Sequence, residues 1–152
     1  MHRLLQWCPT PAQGFDWTPI HRQAAAREFG LNPEQAQDAQ TMARNILTGP
    51  AAWAWDAEQL EDWGNEVELF HQGELLRLDR LVRQRGTLAM PGDWWVLDFK
   101  TAEHPERQPA LLAQMRRYQQ ALADTRPGEA VRLAFINPQG LLLEITPEML
   151  AT

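Results

Sequence analysis

The chain has 152 residues and a net charge of −6, a length that fits one domain with a buried hydrophobic core. Its single cysteine, Cys8, excludes an internal disulfide framework and a four-cysteine zinc or iron–sulfur site. The sequence contains no serine, which excludes serine nucleophile chemistry, and no apolar run approaches the ~18 residues of a membrane span. The first residues lack a signal-peptide pattern, so we expect a cytoplasmic protein without membrane association.

The first half of the chain is predicted to be helical. Residues 1–7 form a lead-in, helical or extended, that Pro9 stops. Thr18 and Pro19 have the cap and first-turn preferences of a helix that ends at Gly30. Asn32 caps a second helix, which runs to about residue 47. Three large aromatics, for which a core role is favoured over base stacking, follow in a short helical connection: Trp53, Trp55 and Trp63.

The second half is predicted to be mostly strands. Alternating residues indicate a strand over residues 66–71, partial alternation indicates a second over 74–82, and an apolar run indicates a third over 93–100. The short connections between these strands favour an antiparallel meander. A helix over residues 110–124 and two strands over 131–136 and 141–145 follow. This order of elements predicts an α/β fold built on a mixed sheet.

Two carboxylates and the only lysine of the chain are predicted to meet at one end of this sheet. Asp98 and Lys100 are two positions apart on the third strand and share a face, and a hairpin brings Asp79 beside Asp98. Paired carboxylates suit Mg²⁺ or Mn²⁺, which take phosphate oxygens as further ligands. Codon bias explains most of the excess of arginine over lysine, and an isolated Asp-x-Lys is usually a solvated pair. Together, however, the three residues predict metal-assisted phosphodiester hydrolysis.

A polar pair on the following helix is placed beside these strands. Gln114 and Tyr118 are four residues apart, on the side of the helix that carries its apolar residues. They are either a core tyrosine with a glutamine at the edge of the stripe, or a pair that contacts substrate or supports the site.

These motifs, in this order, resemble the RecB-type nuclease domain of the PD-(D/E)xK superfamily, which occurs in UvrD-like helicase–nucleases. Three segments match the first metal-binding aspartate, the Asp-Tyr-Lys-Thr signature and the Gln-x-x-x-Tyr motif: Leu78-Asp79-Arg80-Leu81, Val96-Leu97-Asp98-Phe99-Lys100-Thr101 and Gln114-Met115-Arg116-Arg117-Tyr118. Thr18-Pro19-Ile20-His21-Arg22 resembles the start of the upstream helix that carries a metal-site histidine. Glu66 stands where the family often has a glutamate on the first strand.

The resemblance implies a restriction-endonuclease-like core (α-β-β-β-α-β, mixed sheet) with N-terminal helices, and DNA cleavage that depends on Mg²⁺, for which Mn²⁺ can substitute. It makes Asp79 and Asp98 metal ligands, with the Phe99 carbonyl and His21 as further ligands, and Lys100 the residue that acts on water and on transition-state charge. Glu66, Gln114 and Tyr118 would support the site or contact substrate. His2 is the poorer histidine candidate, because chain termini fray.

We therefore expect residues 1–152 to form one nuclease domain, either a piece of a longer helicase–nuclease or a small stand-alone relative. Its expected role is that of an exonuclease module in DNA repair and recombination, acting on single-stranded DNA. Because the chain is acidic, helicase domains in cis or another helicase–nuclease subunit would supply the basic channel. Two alternatives stay open: a catalytically silent module of this fold that binds DNA or a helicase partner, and an acidic, tryptophan-rich interaction domain unrelated to nucleases.

Overall fold

A computed structural model describes residues 1–151 of the chain. Three helices come first: α1 (His2–Trp7), α2 (Pro19–Phe29) and α3 (Pro33–Thr48). A 3₁₀ helix (Ala52–Trp55) leads into strands β1 (Leu60–His71), β2 (Glu74–Gln84) and β3 (Trp94–Phe99). After a second 3₁₀ helix (Pro105–Arg107) come helix α4 (Pro109–Thr125), strands β4 (Val131–Ile136) and β5 (Leu142–Ile145), and helix α5 (Pro147–Ala151). Across this described range, none of the helices has the length and apolar character that crossing a membrane requires.

The five strands form one mixed sheet in the order β1-β2-β3-β4-β5. Neighbouring strands are antiparallel, except that β3 and β4 run parallel and are joined through α4. A parallel pair needs such a crossover, whereas the hairpin between β1 and β2 needs only a tight turn. The predicted α/β class with a mixed sheet is therefore confirmed.

Hydrophobic cores cover both faces of the sheet, and β3 lies between them. All six residues of β3 are buried. Trp95, Leu97 and Phe99 pack in the core that includes α1, α2 and α3, while Trp94 and Val96 pack against α4. Burial on both faces explains why this strand is an almost continuous apolar run rather than an alternating one.

Strand β1 begins earlier than the sequence pattern predicts. It starts at Leu60, so Trp63 belongs to a strand and not to the helical connection. Gly64 and Asn65 are poor strand formers, so the local sequence does not show the alternating pattern of a strand. Pairing with β2 overrides that preference, since the ladder extends from Leu60 opposite Gln84 to the hairpin turn.

The N-terminal helix α1 is held firmly on the rest of the fold. A six-residue helix has little stability of its own. Leu4 and Leu5, however, are both only 1% exposed, and the indole Nε1 of Trp17 donates a hydrogen bond to the Leu4 carbonyl at 2.7 Å. These contacts fix the position of the side chains that α1 carries, including His2.

A pair of glycine substitutions tests the contact between α3 and the turn from β4 to β5. Gly140 and Gly73 both have positive φ, at +81° and +83°. A Cβ at Gly140 would lie 2.2 Å from the carbonyl oxygen of Asn45, whereas a Cβ at Gly73 meets no atom within 4 Å. We expect Gly73→Ala to cost about 1–2 kcal/mol through backbone strain alone, and Gly140→Ala to cost roughly 2–4 kcal/mol. Urea unfolding measures both, and equal losses would contradict the close approach.

Candidate active site

The site lies where β2 and β3 separate. The two strands pair from Arg83 opposite Trp94 as far as Arg80 opposite Leu97, and the next two residues in register are Asp79 and Asp98. Instead of a strand-to-strand hydrogen bond, the Phe99 N–H donates to Asp79 Oδ2 at 2.8 Å. The divergence therefore leaves two carboxylates facing one another at the end of the buried strand.

Asp98 is the more buried of the two carboxylates. It is 2% exposed, and Lys100 Nζ lies 2.7 Å from its Oδ2. We treat this contact as an ion pair, because among the described residues Oδ2 has no partner with hydrogen-bond geometry. Burial raises the pKa of Asp98 to about 6, and the charge of Asp79 adds to that effect while Lys100 opposes it.

The pKa of Asp79 is shifted in the opposite direction, because His2 lies beside it. Burial raises the pKa of Asp79, but the hydrogen bond and charge of His2 and the Phe99 N–H outweigh it, so that the pKa lies below its ordinary value. His2 Nε2 lies 3.3 Å from Asp79 Oδ2 and 2.9 Å from the Phe99 carbonyl oxygen. Burial lowers the pKa of His2, yet the contact with Asp79 raises it overall. Since it faces a carbonyl, Nε2 carries a proton here.

Tyr118 and Gln114 come from α4 on the other side of the sheet. The buried Tyr118 hydroxyl donates to the Arg77 carbonyl at 3.0 Å and so fixes β2 just before Asp79. Burial raises the pKa of Tyr118 to about 12, with the charges of Asp98 and Asp79 contributing. Gln114 is partly buried and lines, with Tyr118, an open cleft of about 540 Å³.

Glu66 lies on the neighbouring strand, directly across from Asp79. The pairs Asn65–Arg80 and Val67–Leu78 flank this position, and Glu66 itself has a φ of +49°, which a non-glycine residue rarely adopts. It lines a second cleft, of about 400 Å³, together with His2. β1 is therefore irregular at the level of Asp79, where β2 also separates from β3.

His21 is not brought to the carboxylates. Its Nδ1 accepts the Thr18 N–H at 3.2 Å and its own N–H donates to Thr18 Oγ1, which caps helix α2. Its ring packs near Trp7, with the ring centroids 5.5 Å apart. The capping position of His21 leaves His2 as the histidine that reaches Asp79.

His2 is thus the functional candidate that sequence reasoning placed second. The expectation that the terminus frays does not hold, because α1 is anchored by its apolar residues. A signal was present in the sequence: Leu4, Leu5 and Cys8 repeat at helical spacing, and all three are buried.

The donor set fits a small, oxygen-preferring divalent cation. His2 Nε2, Asp79 Oδ2 and the Phe99 carbonyl oxygen are joined by separations of 2.9 and 3.3 Å, close to the roughly 3 Å between adjacent ligands in an octahedron with 2.1 Å bonds. Asp98 Oδ2, which now forms an ion pair with Lys100 Nζ, would be a further donor. Within residues 1–151, no three His, Cys, Asp or Glu side chains form a ready metal-binding group. Any metal site here therefore depends on the backbone carbonyl and on Asp98 leaving Lys100.

Comparison with known proteins adds no assignment. No protein-family model matches the chain, and a search of curated proteins finds no significant similarity.

Replacing one buried carboxylate tests the electrostatic balance of the site. Because the folded state raises the pKa of Asp98 to about 6, it binds that proton more tightly than the unfolded chain, and stability falls as pH rises from about 4 to 6. Asp98→Asn removes this loss of stability, because asparagine has no carboxyl group to ionise. We expect the metal-free variant to be more stable than wild type by roughly 1–3 kcal/mol at pH 7.5, with the gain disappearing near pH 4.

Thermal melting at the two pH values measures this difference. Asp38→Asn, the same change at an exposed position on α3, should shift the melting temperature little at either pH. A lower melting temperature of Asp98→Asn at pH 7.5 would contradict the predicted repulsion.

Proposed function

We propose that this chain is a Mg²⁺-dependent deoxyribonuclease with a restriction-endonuclease-like core of the RecB type. The observation that carries the proposal is the convergence of Asp79, Asp98 and Lys100 where β2 and β3 separate. The order of elements from α3 to β4, with β3 and β4 parallel, supports the α-β-β-β-α-β core. The motif order described above supports the family.

Four groups would hold the cation: Asp79, Asp98, the Phe99 carbonyl and His2, which takes the role expected of His21. When bound, Mg²⁺ or Mn²⁺ supplies positive charge to a phosphate oxygen and lowers the pKa of a water ligand. For His2 Nε2 to bind the cation, its proton must move to Nδ1 or, where the imidazole is doubly protonated, leave the ring, and Asp98 must be ionised. Cation binding is therefore expected to release protons at a pH where His2 is doubly protonated or Asp98 is protonated.

Lys100 is the residue that this proposal places on the scissile phosphate. As water attacks phosphorus and the P–O ester bond breaks, negative charge grows on the phosphate oxygens. An ammonium beside a buried carboxylate can donate to one of these oxygens without reorganisation, which makes the stabilisation effective. Lys100 is itself only partly exposed, with 22% of its side chain accessible, so water screens it little.

The two α4 side chains would have different roles. Tyr118 would support the site, because its buried hydroxyl already donates to the Arg77 carbonyl. Gln114 lines the same open cleft as Tyr118 and can donate to a phosphate or a base. Glu66 lines the other cleft beside His2 and supports the ligand set from β1.

Charge pairing argues for a partner in DNA binding. The two arginines of the α4 cleft are already neutralised, since Arg77 pairs with Glu68 at 2.8 Å and Arg117 with Glu74 at 3.1 Å. With a net charge of −6, the chain has little excess basic surface for phosphate contacts. Helicase domains in cis or a helicase–nuclease subunit would deliver single-stranded DNA to an exonuclease module acting in repair and recombination.

The same charge pairing favours one competing function, a catalytically silent module that docks DNA or a helicase partner. Such a module has no need of a lysine paired to a buried aspartate at the end of the sheet. Cleavage in Mn²⁺ separates the two functions, because only the nuclease requires the cation and Lys100.

The two histidines provide a matched test of the ligand set. His2→Ala should raise the Mn²⁺ dissociation constant by roughly tenfold or more, since even supporting residues around a metal typically contribute 10–100-fold. His21→Ala should leave it unchanged, because His21 caps α2. Isothermal titration or Mn²⁺ electron paramagnetic resonance measures both. Equal affinity in the two variants would remove His2 from the site.

Substitutions of Lys100 test catalysis apart from cation binding. Lys100→Met should bind Mn²⁺ at least as tightly as wild type, because Asp98 no longer pairs with a lysine, yet slow cleavage of a labelled single-stranded oligonucleotide by roughly 10²–10³-fold. Lys100→Arg keeps the charge but is bulkier and planar, so we expect it to stay well below the wild-type rate. The assay is run with and without a helicase partner. A wild-type cleavage rate in Lys100→Arg would mean that Lys100 only forms an ion pair and has no catalytic role. A wild-type chain that cleaves neither with nor without the helicase partner would favour the catalytically silent module.

A further inference from the structure

Arg80, the residue next to Asp79, is a buried cation that the catalytic scheme does not use. It is 0% exposed, and within residues 1–151 it takes part in none of the ion pairs with carboxylates. Burial lowers the pKa of Arg80 to about 10, so the guanidinium is still charged at neutral pH. Taking a charge out of water without a counter-ion is costly, so the groups around Arg80 must compensate for that cost.

The guanidinium of Arg80 joins three separate segments of the chain. Nε and Nη2 donate to the Ala54 carbonyl at 3.0 and 2.6 Å, and Nη2 also donates to Thr10 Oγ1 at 2.7 Å. Nη1 donates to Asn65 Oδ1 at 2.6 Å. The guanidinium also lies over the ring of Trp55, 4.6 Å from its centroid. Only the planar fork of arginine makes such a set of bonds while stacking on an indole.

Two routes lead from this guanidinium to His2. Along the first, Asn65 Nδ2 donates to the Gln6 carbonyl at 3.2 Å and so holds the last turn of α1. Along the second, Trp55 stacks on Phe99 with the ring planes 24° apart, and the Phe99 ring meets the edge of the His2 ring at 5.5 Å. The first route therefore reaches the helix that carries His2, and the second reaches the His2 ring itself.

We propose that Arg80 is a positioning residue, which holds the His2 imidazole against Asp79 and the Phe99 carbonyl. It acts through Asn65 and Trp55 and touches no substrate. The use of that imidazole as a cation ligand rests on the proposed function, whereas its placement does not. Two neighbouring residues thus have different roles. Asp79 would supply a ligand oxygen, and Arg80 positions helix α1, whose His2 would supply the ligand nitrogen.

The experiment compares Arg80→Met with Val82→Ala. Val82 lies two residues further along β2, is also 0% exposed and packs in the same core as Trp55, so its truncation controls for general destabilisation. Nuclear Overhauser effects between the His2 and Phe99 rings report the placement of His2 without any cation. Titration with Mn²⁺ reports the consequence for binding.

We expect Arg80→Met to lose the contact between the two rings and to bind Mn²⁺ about 10–100-fold more weakly. Arg80→Lys, which keeps the charge but not the fork, should recover only part of either signal, and Val82→Ala should keep both. A ring contact retained in Arg80→Met, or lost equally in Val82→Ala, would overturn the proposal.

A milder variant covers the case in which Arg80→Met does not fold. Asn65→Ala breaks only the route through Gln6, so it should weaken the ring contact and the Mn²⁺ affinity. Unchanged values for both would overturn the proposal. If wild type keeps the ring contact but binds no Mn²⁺, the proposed function fails, while the ring contact still decides the role of Arg80.

Discussion

The separation of β2 from β3 beyond the Arg80–Leu97 pair is the constraint on which the rest of the site depends. Two carboxylates placed opposite each other on paired strands repel, and burial makes the repulsion stronger. A different side chain lies beside each carboxylate and offsets this repulsion: Lys100 beside Asp98 and His2 beside Asp79. These contacts balance the site without a metal, and in the proposed metal site a divalent cation would replace Lys100 beside Asp98 and the proton on His2 Nε2.

The two side chains that compensate the carboxylates are placed by different features of the chain. Lys100 follows Asp98 by two residues and shares its side of the strand, so this pair is set by β3 itself. His2 arrives from the opposite end of the sequence and depends on the packing of Leu4 and Leu5. The contact between Lys100 and Asp98 is therefore encoded in a short sequence motif, whereas the contact between His2 and Asp79 forms only through tertiary packing.

This difference explains how much the sequence could predict. Strand periodicity was enough to place Asp79 beside Asp98 and to bring Tyr118 to the same sheet, because a hairpin and a helix stripe have fixed geometry. It could not rank His2 above His21, since the order of a terminal helix is decided by tertiary contacts. The start of β1 was missed for the same reason: Gly64 and Asn65 adopt strand geometry because β2 pairs with them.

The lysine and the buried arginine of the site show why the two cations are not interchangeable here. Lys100 is a compact point charge on a flexible stem, able to leave Asp98 for another anion over a short distance. Arg80 uses at least four of its five N–H groups on three fixed acceptors, which suits a residue that must not move. Lys100 is the only lysine beside 13 arginines in the chain, and it lies against the buried Asp98. Arg80 lies next to Asp79 in the sequence. In the proposed metal site, Lys100 would move away from Asp98 while Arg80 keeps the ligands in place, so that the charge between the ligands could change without moving them.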